Sequence, residues 1–428
     1  MHNFSTRPLY LGKATSVFSL ALVISLSHAG LASAGNDRGS ESSATQTTPQ
    51  SYIQANSPAE SPLYAQVSSG NISMISGEFS RFAPQTKTKS TRIDYSIWDE
   101  ALASVVLDLG PSTRIRAPRP QAGVGSRMVR GHKSAYRLEG SRFTFSYITD
   151  EYRAGLTEYR KDLQSLPSRL DITRLSRDEQ LAYWINLHNV AVIEQIALAY
   201  PTQRPANVKI KVNGRKVKLD EAKFIDINGV AMSPKDIRTQ IVYPNWSDPN
   251  VIYGFYRGDI GSPMLPRYAY DAENLDYTLD DNGYEFANSL RGFHRTLGHR
   301  NVSAIYEEAA PFYFQNWDRD LTAHLSGLVK DELKDDLNTG EPFRIDRYDT
   351  MVADLSGGQR LASSGSPVSG QMGMSAETAR LLGEVRKKQD VLRGRGEIGQ
   401  QPKGWVIIED LYTEDPDAPP SQPQEQNE

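Results

Sequence analysis

The sequence predicts a single α+β domain between polar ends. Two local patterns and their order carry that reading. Leu181 to Ala199 is a long apolar run behind a helix-start signal, which reads as a buried helix. Val208 to Leu219 alternates apolar and polar residues around Asn213-Gly214, which reads as a hairpin because a tight primed turn needs positive φ at its centre. Helix-like and strand-like stretches then interleave from about Ile93 to Tyr348, as in an α+β domain.

The elements follow in order. Ser176-Arg177-Asp178-Glu179 has the form of a capping box: the serine oxygen accepts from the Glu179 amide and the Glu179 carboxylate bonds back to the serine amide. The apolar helix follows, and Pro201 stops it. Beyond the hairpin, Val251 to Tyr256 reads as a buried strand entering a Gly-Asp-Ile-Gly-Ser-Pro loop. Ala272 to Leu290 reads as a helix with a defect near Gly283. Val302 to Tyr306 reads as a strand and Trp317 to Leu337 as a helix. The aromatics Phe312, Tyr313, Phe314 and Trp317 are expected in the core. Arg114 to Arg142 holds eight basic residues and one acidic one, and reads as a solvated edge hairpin whose charge discourages pairing between molecules.

The ends differ in kind. Arg7 and Lys13 precede a ten-residue apolar run, Val17 to Leu26, and Ala32-Ser33-Ala34 supplies a small-x-small cleavage site. That run is too short for a bilayer span, which takes about 20 apolar residues. Residues 1–34 are therefore expected to be a signal peptide, leaving a soluble mature chain from Gly35 in the periplasm or outside the cell. Residues 35–92 are too poor in apolar groups to offset chain entropy and are expected to be a disordered linker. After the 93–348 domain, residues 349–408 read as low-complexity sequence with one charged helix, Ala376 to Leu392. Residues 409–428 hold seven acidic groups and no basic one, and are expected to stay solvated as a disordered tail.

Composition narrows the chemistry. A net charge of −4 gives no bulk attraction to nucleic acid. With no cysteine the chain has no disulfide, thiol nucleophile or thiolate metal site. His294 and His299 are five apart, off the spacing that puts two ligands on one helical face, and no HExxH is present. Asp280-Asp281-Asn282-Gly283 fails as a calcium loop, because Thr278 and Ser289 would occupy its first and twelfth positions. Neither a metal nor a cofactor is expected.

Several ordered motifs resemble the domain-of-unknown-function family 547 (DUF 547). They are Asp94 to Trp98, the Leu175 to Asn189 run LSRDEQLAYWINLHN, the Val212 to Leu219 hairpin half, Asp248-Pro249, Ala272 to Asp276 and Ala310 to Phe314. The family resemblance implies a histidine after Asp-Pro and a loop like CGAKSCP, a thiol-hydrolase pair on a fold distantly similar to papain or transglutaminase. This chain departs there, with Ile252 at the histidine position and Arg257 and Ser262 at the two cysteine positions. His188 stands where the family usually has tyrosine.

Two functional readings follow. The first is a non-catalytic exported domain that binds a small molecule, a glycan or an envelope protein, with Asn186, Asn189 and Arg257 lining its pocket. For the two asparagines, three apart on one helix face, the structural alternative is that they hold a neighbouring loop by its backbone. The second is a cysteine-free hydrolase or acyl-transfer enzyme. It would use Asp259 and His188 as acid and base and Ser262 as nucleophile, and it requires these groups to meet.

Overall fold

A computed structural model describes residues 77–85, 90–121, 129, 131–346, 348–359 and 375–398. The segments expected to be a signal peptide and an acidic tail, and most of the expected linker, lie outside the described residues. The linker expectation fails at its end. Ser80–Phe82 forms a 3-10 turn, and Phe79 and Phe82 are buried in the core. Segment-averaged composition conceals two phenylalanines.

The first helices and strands are α1 (Ser96–Val105), β1 (Val106–Asp108), β2 (Ser141–Phe143), α2 (Asp150–Ser165) and α3 (Arg177–Ala199). α3 is buried on all faces from Glu179 to Ala197 except Gln195, so the rest of the chain must wrap it. α2 packs on it, where Tyr183 donates to the Leu163 carbonyl (3.0 Å) and Arg160 pairs with Glu194. Only half of the expected capping box forms. Ser176 Oγ accepts from the Glu179 amide (3.2 Å), but the Glu179 carboxylate accepts from the amide of Ile93 (2.8 Å). That bond ties the domain's first segment to the start of its central helix. Burial pushes the Glu179 carboxyl up to about 7.

β3 (Lys209–Val212) and β4 (Arg215–Lys218) form the expected hairpin, with Asn213 and Gly214 at φ 47° and 79°. The same dipeptide makes a second hairpin. β5 (Ile225–Ile227) and β6 (Val230–Met232) pair across Asn228-Gly229, at φ 50° and 82°. Next comes a continuous helical run: α4 (Pro234–Asp236), a π-helical turn (Ile237–Val242) and α5 (Tyr243–Asn245). Ser233 and Asp236 close a full capping box at its start.

Val251 to Tyr256 is not a strand. Most of it belongs to a 3-10 helix, Pro249–Gly254, begun by Asp248, whose Oδ1 accepts from the Asn250 amide (2.9 Å). A short apolar run does not distinguish strand from buried helix, and here the Asp-Pro start decides. α6 (Leu275–Ala287) is shorter than expected, and Gly283 is no defect in it. A Cβ there would stand 2.8 Å from the Tyr253 ring, so glycine permits close packing.

β7 (Phe293–Thr296) and β8 (His299–Val302) precede α7 (Ala304–Tyr313). The strand expected at Val302 to Tyr306 thus ends at Val302, where Ser303 caps the helix. The single helix expected from Trp317 is two, α8 (Trp317–Ser326) and α9 (Asp331–Leu337), parted after Gly327. β9 (Phe343–Ile345) adds to β8 in parallel, and α10 (Ala376–Gly394) ends the described chain. Phe314 is buried, with Phe312, Tyr313 and Trp317 packed against the core.

The basic segment is not a solvated edge hairpin. β2 is the one strand among its described residues, and Arg137 and Arg142 are buried to 1% exposure. Arg142 serves backbone carbonyls, and Arg137 serves two carbonyls and the Glu384 carboxylate, uses that charge counting does not reveal. α10 is held in part by Lys388, whose Nζ donates to the carbonyls of Leu109, Gly110 and Leu138 at 3.0, 2.9 and 2.6 Å. The fold is α+β, built from small two- and three-stranded sheets around a helical core. Among the described residues no helix is long and apolar enough to cross a membrane.

Candidate functional site

Two asparagines on α3 grip backbone. Asn186 donates to the Tyr270 carbonyl (2.7 Å) and accepts from the Tyr270 amide (3.1 Å). Asn189 donates to the Gly254 carbonyl (2.9 Å) and accepts from the Tyr256 amide (3.0 Å). Each amide side chain copies one step of a β-ladder, so the helix fixes the chain on both sides of the Arg257 to Pro263 loop. This satisfies two amides that are 1% exposed.

His188 is wholly enclosed beside them. Arg238 Nη1 can only donate, so the imidazole Nε2 accepts from it (2.9 Å). Nδ1 therefore carries the proton and donates to Asn189 Oδ1 (3.0 Å). Burial, and then the Arg238 charge, hold the His188 pKa near 3. The ring is neutral, and its lone pair is already engaged.

Arg238, on the π turn, is 0% exposed and distributes every N–H it has. Nε donates to Glu308 (2.8 Å), Nη1 to Asp220 (2.8 Å) and His188, and Nη2 to Asp220 (2.8 Å) and Glu308 (3.0 Å). Arg257 Nη2 also reaches Glu308, at 2.7 Å. Burial works against both carboxylates, but the guanidinium groups prevail. Glu308 falls to about 2, under Arg257 and then Arg238, and Asp220 falls below its usual range under Arg238. The network opens toward solvent at the side chains of Asp220 (44% exposed), Arg257 (19%) and Glu308 (17%). Arg257 Nε and the Tyr243 hydroxyl are buried without a hydrogen-bond partner among the described residues.

The loop itself is closed from above. Residues 349–353 lie along it: Ile260 N donates to Met351 O (2.8 Å), Gly261 N to Asp349 O (2.9 Å) and Ala353 N to Gly258 O (2.9 Å). Ser262 Oγ donates to the Asp259 backbone carbonyl (2.8 Å), and the Asp259 carboxylate accepts from the Tyr348 hydroxyl (2.7 Å). Gly258 has φ 83°, and a Cβ there would meet Ile196 Cδ1 at 2.0 Å. Ile252 is apolar core in the 3-10 turn.

Of the residues singled out from sequence, His188 and Asn189 touch each other, the amide and hydroxyl of Ser262 both donate to the Asp259 carbonyl, and Ser262 Oγ accepts from the Arg257 amide. No hydrogen bond links His188 to Asp259 or Ser262. Arg257 and Asp259 are not the surface pair a tight turn would make: one binds Glu308, the other Tyr348. Sequence reasoning missed Asp220, Arg238, Glu308, Tyr243 and Tyr348. The Ser233-Asp236 capping box was the available signal for Arg238, since it starts the helix that carries it. Among the described residues no group of three or more histidines and carboxylates could hold a metal ion. His294 and His299 sit on adjacent strands, β7 and β8, rather than on a helix.

Asp259 carries a pH signature. Burial raises its carboxyl to about 7, against the opposing pull of Tyr348 and Arg257. Its unfolded value is about 3.9. A carboxyl raised on folding favours the fold below the unfolded value, and that contribution is lost as pH rises through 7. Asp259→Asn keeps an oxygen for Tyr348. It is expected to match wild type near pH 4 and to exceed it at pH 8 by on the order of 1–3 kcal/mol. Urea midpoints at the two pH values measure this. An equal difference at both would mean that Asp259 is ionised throughout.

No curated protein and no solved structure matches the chain. The family described as "Protein of unknown function, DUF547" matches residues 172–287, a stretch that contains the asparagine clamps, His188, Arg238 and the Arg257 to Pro263 loop but not Glu308 or Tyr348. Residues 172–287, about a quarter of the chain, are therefore similar to the DUF547 family.

Proposed function

We propose that this protein is an exported, non-catalytic binding domain on the DUF547 scaffold, with Arg257 meeting the ligand. One observation carries the reading: the three side chains that would have to perform catalysis spend their hydrogen bonds within the fold. His188 is locked between Asn189 and Arg238, Ser262 serves a loop carbonyl, and Asp259 serves Tyr348. A nucleophile needs a base within reach, and Ser262 has none among its hydrogen-bond partners. Arg257 has the features of a contact residue. It is partly exposed, it stands on a loop held by a rigid helix, and among the described residues its Nε and the Tyr243 hydroxyl are unused donors. Such donors suit an acceptor-bearing small molecule, a glycan or an acidic patch on an envelope protein. Export rests on the three-part pattern of residues 1–34.

The test uses the mature chain. A broad hydrolase and acyl-transfer screen is expected to find no turnover, and turnover abolished by Ser262→Ala would overturn the reading. A panel of glycans and carboxylate ligands is expected to yield a binder that Arg257→Gln weakens tenfold or more. Protein recovered from the periplasm or medium is expected to begin at Gly35; an intact N-terminus confined to the cytosol would refute export.

A further inference from the structure

Six arginines are buried among the described residues, and five of them hold a carboxylate. Arg137 pairs with Glu384, Arg160 with Glu194, Arg238 with Asp220 and Glu308, Arg291 with Glu285, and Arg300 with Asp318. Arg142 is the exception. It is 1% exposed and makes no ion pair within 4 Å among the described residues. Its Nη1 donates to the carbonyls of Glu139 (2.9 Å) and Ser141 (2.6 Å), and its Nη2 to that of Tyr136 (3.2 Å). Carbonyl dipoles accept the protons but do not neutralise the charge. Nε–H has no partner among the described residues, and Nη2 has a second proton to give. Those two nitrogens form the side of the guanidinium that grips an oxyanion with two parallel hydrogen bonds.

The surroundings point the same way. The Tyr256 hydroxyl, 1% exposed, is buried without a partner among the described residues. Both residues belong to segments gathered on residues 352–353. Phe143, next to Arg142, donates its amide to Ala353 O (2.9 Å), and Ala353 donates its amide to Gly258, two residues beyond Tyr256. Burial raises the Tyr256 hydroxyl and keeps it protonated, and the Arg142 charge opposes that rise. Four carboxylates lie in electrostatic range of one group or the other and are turned elsewhere: Asp259 accepts from the Tyr348 hydroxyl, and Asp354 from the Tyr200 and Ser356 hydroxyls and the Gly358 amide. Glu139 accepts from Ser112 Oγ and the amides of Leu290 and Arg291, and Asp349 accepts from Ser134 Oγ and the Met351 amide. Arg291 is also in range, its charge met by Glu285. His132 bonds Val352 O through Nε2 and adds no charge, since burial and then Arg142 hold its pKa near 3. Burial lowers Arg142 to about 10, which still leaves it cationic at neutral pH. An unpaired buried charge is among the costliest arrangements in a protein interior.

We propose that the free side of Arg142, together with the Tyr256 hydroxyl, holds a small oxyanion taken up as the chain folds. This site is separate from the Arg257 network and does not depend on it.

The test is a set of urea midpoints on the mature chain, refolded by dialysis and titrated with sulfate, phosphate or acetate at constant ionic strength. A ligand that binds only the folded state raises stability with the logarithm of its concentration above the dissociation constant. At least one of the three is expected to give a response that fits a single site. Tyr256→Phe removes only an unpartnered hydroxyl, so it is expected to fold and to weaken the apparent affinity fivefold or more. Arg142→Met is expected to abolish the response, and if it does not fold, Tyr256→Phe decides alone. Parallel responses in wild type and Tyr256→Phe, as a general salt effect or an interior water would give, overturn the proposal.

Discussion

Arg238→Met is expected to lower the urea midpoint at unchanged slope by the equivalent of about 3–5 kcal/mol, the range seen when one partner of a buried ion pair is removed. The residue is fully buried, and its five N–H groups are all engaged by Asp220, Glu308 and His188. Methionine fills much of the same space, so the cost is electrostatic rather than a cavity. Glu308 keeps Arg257, and Asp220 is 44% exposed and regains some water, which favours the lower part of that range. The charges also set the pH behaviour. Arg238 helps to hold Asp220 and Glu308 below their usual range, and a depressed carboxyl stabilises the fold above its unfolded value and loses that contribution as pH falls. The deficit of the variant should therefore shrink between pH 7 and pH 3. A loss under about 1 kcal/mol, the scale of an exposed ion pair, would show that the network is not desolvated.

Asn189→Leu is expected to cost about 3 kcal/mol, since an orphaned buried group costs roughly 1–3 kcal/mol and several are orphaned here. The substitution leaves the Gly254 carbonyl, the Tyr256 amide and His188 Nδ1–H without their partner. Leucine is close to asparagine in size, so packing is nearly conserved. A lost midpoint at unchanged slope is the expected result. An unchanged midpoint with loss of a cognate ligand would instead make Asn189 a binding residue.

What the sequence disclosed is what neighbours along the chain decide. Asn213-Gly214 sets its own turn, and the apolar run with Ser176 before it starts its own helix. Asn228-Gly229 carried the same signal, flanked by short strands, and was legible too. The failures share a cause. Val251 to Tyr256 is apolar in a way compatible with strand or helix, and only its packing distinguishes them. Glu179 abandons its capping partner for Ile93, 86 positions away. Arg238 meets Glu308 across 70 positions and His188 across 50. Nothing periodic in the sequence announces such meetings, so the pairing of Arg238 with Asp220, Glu308 and His188 emerged only in the folded chain. The asparagine clamps fall between these cases. The need of a buried amide for a partner was foreseeable from its place in an apolar helix, while the identity of the partner was not.

Those clamps also make the central helix intolerant of a change in length. Successive residues on an α-helix are turned by about 100°, from 3.6 residues per turn. One residue inserted or deleted between Ser176 and Asn186 would swing both amides off the backbone they hold and carry His188 away from Arg238. On a surface helix such a slip moves a polar face through water at little cost. Here it would release the chain at Gly254, Tyr256 and Tyr270 together, so the count of residues in that first stretch of α3 is as constrained as their identity.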